Sequence, residues 1–397
     1  MVLQERRFYQ YFDWLLVLAP LVLVALGTVM IYNTTGTTEG LDTSDLWHDI
    51  TFRQMLFAAV GFFALFSLSV FDFRVFGTLR YPIYLLVIGL LGVVLIIGQI
   101  QHGAQRWIEI GGFQLQPSEP AKLLLVLVLG RFLANHEDEI NKWRTLAVSL
   151  VIVGVPAVMI YLQPDLGTAL VIGFIWFVMI MATGLSWKRV LLLVALGIVL
   201  LPLVWLTLQP YQQERFMTFL DPKADPLGAG YNVLQAQIAI GSGGFWGLGL
   251  GAGSQGQLRF LRIRHTDFIF SVIGEELGFW GGVFFFLLFM FIILRLLRAA
   301  LRTHSTFGRL VIIGFSAGLF FQTFVNLGMN LGLMPVTGIP LPFVSSGGSS
   351  LVTFLMMLGI VESILSHDRA IALRGEPKGQ KKQVPFPDYG YEYGEYA

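Results

Sequence analysis

The chain has 397 residues, 55% of them hydrophobic and 13% charged, with no cysteine and a formal net charge of +1; its mean hydropathy is +0.71. A soluble domain carries about 25% charged residues, so a soluble globular enzyme is excluded. The absence of cysteine excludes disulfides, thiol catalysis and Cys-ligated metal sites, and the near-neutral charge implies no nucleic-acid partner.

Apolar runs of about 18 residues or more recur along the chain, each long enough to cross a bilayer core. About ten spans are expected, at 14–32, 52–71, 82–100, 119–134, 146–163, 166–184, 189–208, 268–296, 307–332 and 345–366. No small-residue cleavage site follows the first run, so it reads as a retained helix. An even number of spans puts both termini on one side. Cytoplasmic termini place 18 of the 26 Lys and Arg residues on inner segments, in keeping with the positive-inside rule. The expected fold class is all-α, a polytopic membrane domain over 1–368. The tail, 369–397, is rich in Pro, Lys and Tyr and reads as a disordered cytoplasmic segment. The largest outer loop, about 209–267, lies between spans seven and eight. Loops of this length are functional or disordered; the apolar stretches Val233–Ile240 and Phe245–Leu250 predict partly helical structure on the membrane surface.

Ionisable groups in or beside spans are costly and are functional candidates. Glu119 and Lys122 open the fourth span three residues apart, on one helix face where they can pair. One reading is an N-cap by Ser118 with a local ion pair; the other is a charged wall of an outward-facing cavity. Asp165, in Gln163-Pro164-Asp165-Leu166-Gly167-Thr168, either caps the sixth span or orients Lys122 or a ligand. The uncharged stretch from Pro335 to Ser350 holds three prolines and several glycines. It is either a packing loop or a wall of hydroxyls, Ser345 and Ser346 among them, and backbone N–H groups facing a polar ligand. The six histidines show no metal-ligand spacing; His265, two residues before Asp267, is read as an orienting or capping group. Asp267 follows three arginines, Arg259, Arg262 and Arg264, and opens a long apolar run. A carboxylate there either caps span eight or does chemistry. The arginines bind lipid headgroups or a phosphorylated ligand.

Five blocks carry a resemblance: Gly103-Ala104-Gln105-Arg106-Trp107-Ile108, Gln116-Pro117-Ser118-Glu119 with Lys122, the Gln163–Thr168 turn, His265-Thr266-Asp267-Phe268-Ile269-Phe270 with Glu275-Glu276, and Pro335-Val336-Thr337-Gly338 through Ser350. In this order the chain resembles, over roughly 10–368, the SEDS proteins (the RodA/FtsW/SpoVE group). Gln105 departs from the second basic residue of many members, and Ser346 from their Tyr. The resemblance implies a peptidoglycan glycosyltransferase of the bacterial cytoplasmic membrane that polymerises lipid II, with Asp267 as its essential residue. It further implies a class B penicillin-binding protein as transpeptidase partner, other elongation or division machinery, and a divalent cation (Mg or Mn) at a site the sequence does not locate. The short N-terminal segment leans toward the RodA type.

For the implied chemistry, Asp267 is the expected base. Arg106, Arg215, Arg259, Arg262 and Arg264 are the expected partners of a diphosphate, since guanidinium forks match phosphate oxygens. Glu119, Lys122, Asp165, His265, Ser345 and Ser346 complete the expected substrate site. The competing class is a lipid II flippase, with Glu119, Lys122 and Asp165 lining a translocation path.

Overall fold

A computed structural model describes residues 12–35, 49–101, 104–225, 228, 230–253 and 266–374. The helices are α1 (Trp14–Thr35), α2 (Ile50–Val70), a short α3 (Arg74–Thr78), α4 (Arg80–Ile97), α5 (Ser118–Asn135), α6 (Trp143–Leu162), α7 (Leu166–Ala182), α8 (Trp187–Thr207), α9 (Pro210–Leu220), α10 (Tyr231–Gly243), α11 (Ile269–Arg302), α12 (Thr306–Asn330) and α13 (Gly348–Arg374). Each of the ten expected spans coincides with one of them. Eight are long and apolar enough to cross a membrane. The other two are α7, 17 residues long, and α5, which carries Glu119, Lys122 and Arg131. Both pack against α12. A helix walled in by other helices need not offer apolar surface to lipid, so it tolerates charge. By contrast α8 buries only Val190. The chain is an all-α polytopic membrane protein.

Close approach holds the centre together. Along α2 and α13 a Cβ on Gly359 would lie 2.5 Å from the Leu65 carbonyl oxygen, the small-residue packing by which helices associate in lipid. At the end of the bundle remote from Asp267, Arg295 of α11 pairs with Asp13 at 2.8 Å. The final helix continues past 368 to Arg374; the rest of the tail lies outside the described residues.

Two features depart from a plain helical reading. The third span ends at Ile97, short of the expected 100, and the chain enters a three-stranded antiparallel sheet: β1 (Gln99–Gln101), β2 (Ala104–Ile110) and β3 (Phe113–Leu115), in that order. Gly111 and Gly112, with φ of 59° and 82°, form the two-residue link with positive φ that a tight hairpin favours. The long loop 209–267 contains α9 and α10. Val233–Ile240 lies within α10, whereas Phe245–Leu250 is a chain of turns.

Those turns serve a break in α11. At Gly278 the backbone takes φ 67° and ψ −163°, which strips helical partners from the carbonyls before it and the N–H groups after it. The stretch after α10 supplies both sets. Leu248 and Gly249 N–H donate to the Glu275 and Glu276 carbonyls, each at 3.0 Å, while Phe279 and Trp280 N–H donate to the Gly244 and Phe245 carbonyls at 2.8 and 3.3 Å. A Cβ on Gly278 would lie 2.3 Å from the Gly247 nitrogen. Gly278→Ala is therefore expected to cost about 1–3 kcal/mol from backbone strain alone, with a lower Tm of the detergent-solubilised protein. Gly282→Ala, whose Cβ meets only the Phe270 ring at 3.4 Å, is the matched control and should leave Tm near the parent value.

Candidate active site

Three segments distant in sequence converge on Gly338, in the loop between α12 and α13. Its φ of 73° suits glycine. A methyl group built on it would lie 3.6 Å from Arg215 Nη1, 3.7 Å from Asp267 Oδ2 and 4.0 Å from Arg106 Nη1. One carboxylate and two guanidinium groups thus share a half-buried surface whose floor is bare backbone.

Each charged group has its own support. Arg106 stands on β2, and its guanidinium lies 3.5 Å from Asp165 Oδ1 and donates through Nη2 to the Pro164 carbonyl. Tyr211 of α9 donates its hydroxyl to that same carbonyl at 2.8 Å, and its ring lies 5.6 Å below the Arg215 guanidinium, a cation–π stack. Asp165 meets the capping reading and has a charged partner other than the expected Lys122. It caps α7 through the Thr168 N–H (3.2 Å) and hydroxyl (2.9 Å), and it accepts from Gln116 Nε2 at 3.2 Å while facing Arg106. Its orienting role is toward Arg106; Lys122 has a different partner.

That partner is Glu119, at 2.8 Å, with both side chains buried. The expected N-cap by Ser118 does not form, because Pro117 holds the N-cap position without a side-chain bond. Ser118 is instead the first residue of α5. Its hydroxyl and Glu119 Oε2 are buried and have no hydrogen-bond partner among the described residues. Lys122 Nζ lies 5.8 Å from the Phe354 ring. A buried pair of this kind stands or falls together: removing one partner strands the other charge, at a cost of about 3–5 kcal/mol. Lys122→Met alone should therefore lower the midpoint of thermal unfolding well below that of the Lys122→Met/Glu119→Gln double variant, a difference that scanning calorimetry in detergent reads directly.

Asp267 sits in the turn before α11, which is N-capped at Phe268 without a side-chain bond. The turn is held by its main chain. Ser345 Oγ donates to the Thr266 carbonyl at 2.6 Å and accepts from the Leu341 N–H at 2.8 Å. The Asp267 carbonyl accepts from Asn330 Nδ2 at 3.0 Å and Asn326 Nδ2 at 3.2 Å. Ser345 thus braces the acidic turn, and Ser346 is half-buried beside it. Arg259, Arg262, Arg264 and His265 lie outside the described residues. Asn326 and Asn330 are absent from the candidates that charge and motif single out. A signal for them exists in the sequence: two amides four residues apart on one face of an apolar helix, where polar side chains bond across helices.

No three His, Asp or Glu side chains gather as a metal cluster among the described residues, and the carboxylate at Gly338 faces guanidinium groups. The described side chains do not by themselves fit a resident divalent ion. Magnesium is commonly held by one or two carboxylates together with substrate phosphates.

Residues 13–370 match the family model described as cell cycle protein, the FtsW/RodA/SpoVE family. The chain belongs to this family. It is 37% identical over 363 residues to the peptidoglycan glycosyltransferase MrdB of Escherichia coli, covering 91% of this chain and 95% of that protein. It is 36% identical over 370 residues to the stage V sporulation protein E of Bacillus subtilis, covering 90% and 98%. Among solved structures, the rod shape determining protein RodA of Thermus thermophilus matches with a TM-score of 0.65 at 33% identity, covering 90% of this chain and 96% of that one. A chain from a peptidoglycan synthase complex, described as coordinating polymerization and crosslinking, matches with a TM-score of 0.76 at 36% identity, covering 90% and 98%.

Proposed function

We propose that this protein is a peptidoglycan glycosyltransferase that joins lipid II units into glycan strands, with Asp267 as the base. The observation that carries this reading is the meeting of Asp267, Arg106 and Arg215 on the Gly338 backbone, inside a chain whose relatives are named for peptidoglycan glycosyl transfer. The distribution of Lys and Arg supports a site on the outer face of the bacterial cytoplasmic membrane, where exported lipid II is available. A class B penicillin-binding protein as transpeptidase partner accords with the related synthase complex, in which polymerization is coordinated with crosslinking.

The chemistry needs two things of the chain. A hydroxyl of the acceptor sugar attacks the anomeric carbon of the donor, forming the new C–O bond as the bond to the diphosphate breaks. The hydroxyl proton passes to a base, and the bonding electrons leave with the undecaprenyl diphosphate. Asp267 is the base. Arg106 and Arg215 face the leaving group, whose growing negative charge preorganised cations stabilise. The backbone at Gly338 leaves room for a sugar where a side chain would stand. The buried Glu119–Lys122 pair lies outside this trio and shapes the interior wall. A Mg or Mn ion entering with the diphosphate would add positive charge on the leaving-group side.

Purified protein with its transpeptidase partner, supplied with lipid II, should form glycan polymer visible on a gel. Asp267→Asn should lose polymer by about 10²–10⁴-fold, the range for removal of a general base, while retaining Tm and partner binding. Wild-type polymerisation by that variant would sink the assignment, and lipid translocation without polymer by the parent protein would favour a flippase. Arg215→Ala should lower kcat/KM about 10²-fold, the scale for losing one transition-state donor, in the same gel assay run at varied lipid II.

A further inference from the structure

The buried amides of α12 do more than fill the core. Asn326 and Asn330 are both fully buried, and their side chains bond the turn of Asp267, the first turn of α11, the loop of Gly338 and each other. Asn326 Nδ2 donates to the Asp267 carbonyl at 3.2 Å and to the Ile339 carbonyl at 2.8 Å. Asn330 Nδ2 donates to the Asp267 carbonyl at 3.0 Å and to the Asn326 carbonyl at 2.8 Å, while its Oδ1 accepts from the Ser271 N–H at 3.1 Å and the Ser271 hydroxyl at 2.6 Å. One carbonyl group thus receives two amide donors from successive turns of one helix.

We propose that Asn326 is the positioning residue that sets the distance between Asp267 and the Gly338 surface, with Asn330 as its support. The proposal rests on the reading of Asp267 as the base. Ile339 follows Gly338 directly, so a single NH₂ group grips the main chain on both sides of the site, at the residue bearing the carboxylate and next to the residue bearing the open floor. The two segments are far apart along the chain, and the Asp267 side chain reaches Gly338 only as accurately as its own backbone is held. A misplacement of about 1 Å at a reacting group can cost about 10²-fold in rate. A helix-borne brace is the stiffer choice over a loop-borne one, since α12 is buried along most of its length. The side chain must be an amide. Asn326→Asp would turn a carboxylate oxygen toward two carbonyl oxygens, replacing attraction with repulsion at almost unchanged volume.

The test compares lipid II polymerisation by Asn326→Ala, Asn326→Asp, Asn330→Ala and the Asn326→Ala/Asn330→Ala double variant, each with its transpeptidase partner. Ser363→Ala is the comparator: Ser363 is also fully buried and bonds the Phe73 N–H at 3.2 Å and the Phe71 carbonyl, on segments that contribute nothing to the site. The expected result is a fall in kcat of about 10²-fold for Asn326→Ala with KM for lipid II within about threefold. Asn326→Asp should fall at least as far. The double variant should be scarcely slower than Asn326→Ala, because residues acting as one unit are non-additive, and Ser363→Ala should keep kcat within about twofold at a comparable loss of Tm. An unchanged kcat in Asn326→Ala, a KM effect alone, or losses that track Tm as they do in Ser363→Ala would overturn the proposal in favour of a purely structural role; failure of all the asparagine variants to fold would do the same. Asp267→Asn is run alongside. If it stays active the catalytic reading itself fails, whereas a dead Asp267→Asn beside a fully active Asn326→Ala removes only the positioning role.

Discussion

The main-chain carbonyl of Asp267 is the point on which the site depends. It belongs to a turn at the mouth of an apolar helix, where an unsatisfied backbone oxygen would be expensive and a wandering carboxylate useless. Two amides from α12 hold it, and a hydroxyl from Ser345 holds the carbonyl before it. Those three side chains come from two segments far downstream. The acidic turn therefore acquires its shape only when α12 and the loop before α13 are in place, and the loop acquires its own shape through the Asn326 bond to Ile339.

The same economy of backbone groups governs the rest of the end that carries the site. The break at Gly278 exposes carbonyl and N–H groups that helix geometry normally consumes, and the turns after α10 return them one for one. Pro164, another main-chain acceptor, takes Arg106 and Tyr211 together and so ties the sheet to α9. Charge is handled alike: Asp165 is shared among a helix cap, Gln116 and Arg106, and Lys122 is given Glu119. In a medium that solvates neither charges nor peptide groups, each such group must be matched inside the protein, and the matching draws distant segments to one place.

Asp165 caps its helix as one reading expects, and its further lone pairs meet Gln116 and Arg106 instead of the expected Lys122. Ser118 shows the opposite case: the motif for a cap is present, yet Pro117 takes the position and the hydroxyl points inward, buried and with no partner among the described residues. The hairpin after α4 is legible in Gly111-Gly112 but is overridden by the apolar run ahead of it, because hydropathy over a window of about 19 residues cannot see where a helix stops. Asn326 and Asn330 escape a search for charge because an amide carries none, although two of them on one helix face mark a cross-helix bond.

Length and apolar periodicity alone determined the ten helices, because a bilayer fixes how long an apolar run must be. The blocks around Arg106, Glu119, Asp165, Asp267 and Gly338 alone determined the family and the carboxylate to watch. Only the tertiary structure decided which charges act together. Arg106 meets Asp165, and Arg106, Arg215 and Asp267 come together at Gly338, whereas the Glu119–Lys122 pair is local and already legible in its spacing. Partnership between charges is a matter of a few ångströms, and segments far apart in sequence reach that distance only after the helices between them have packed.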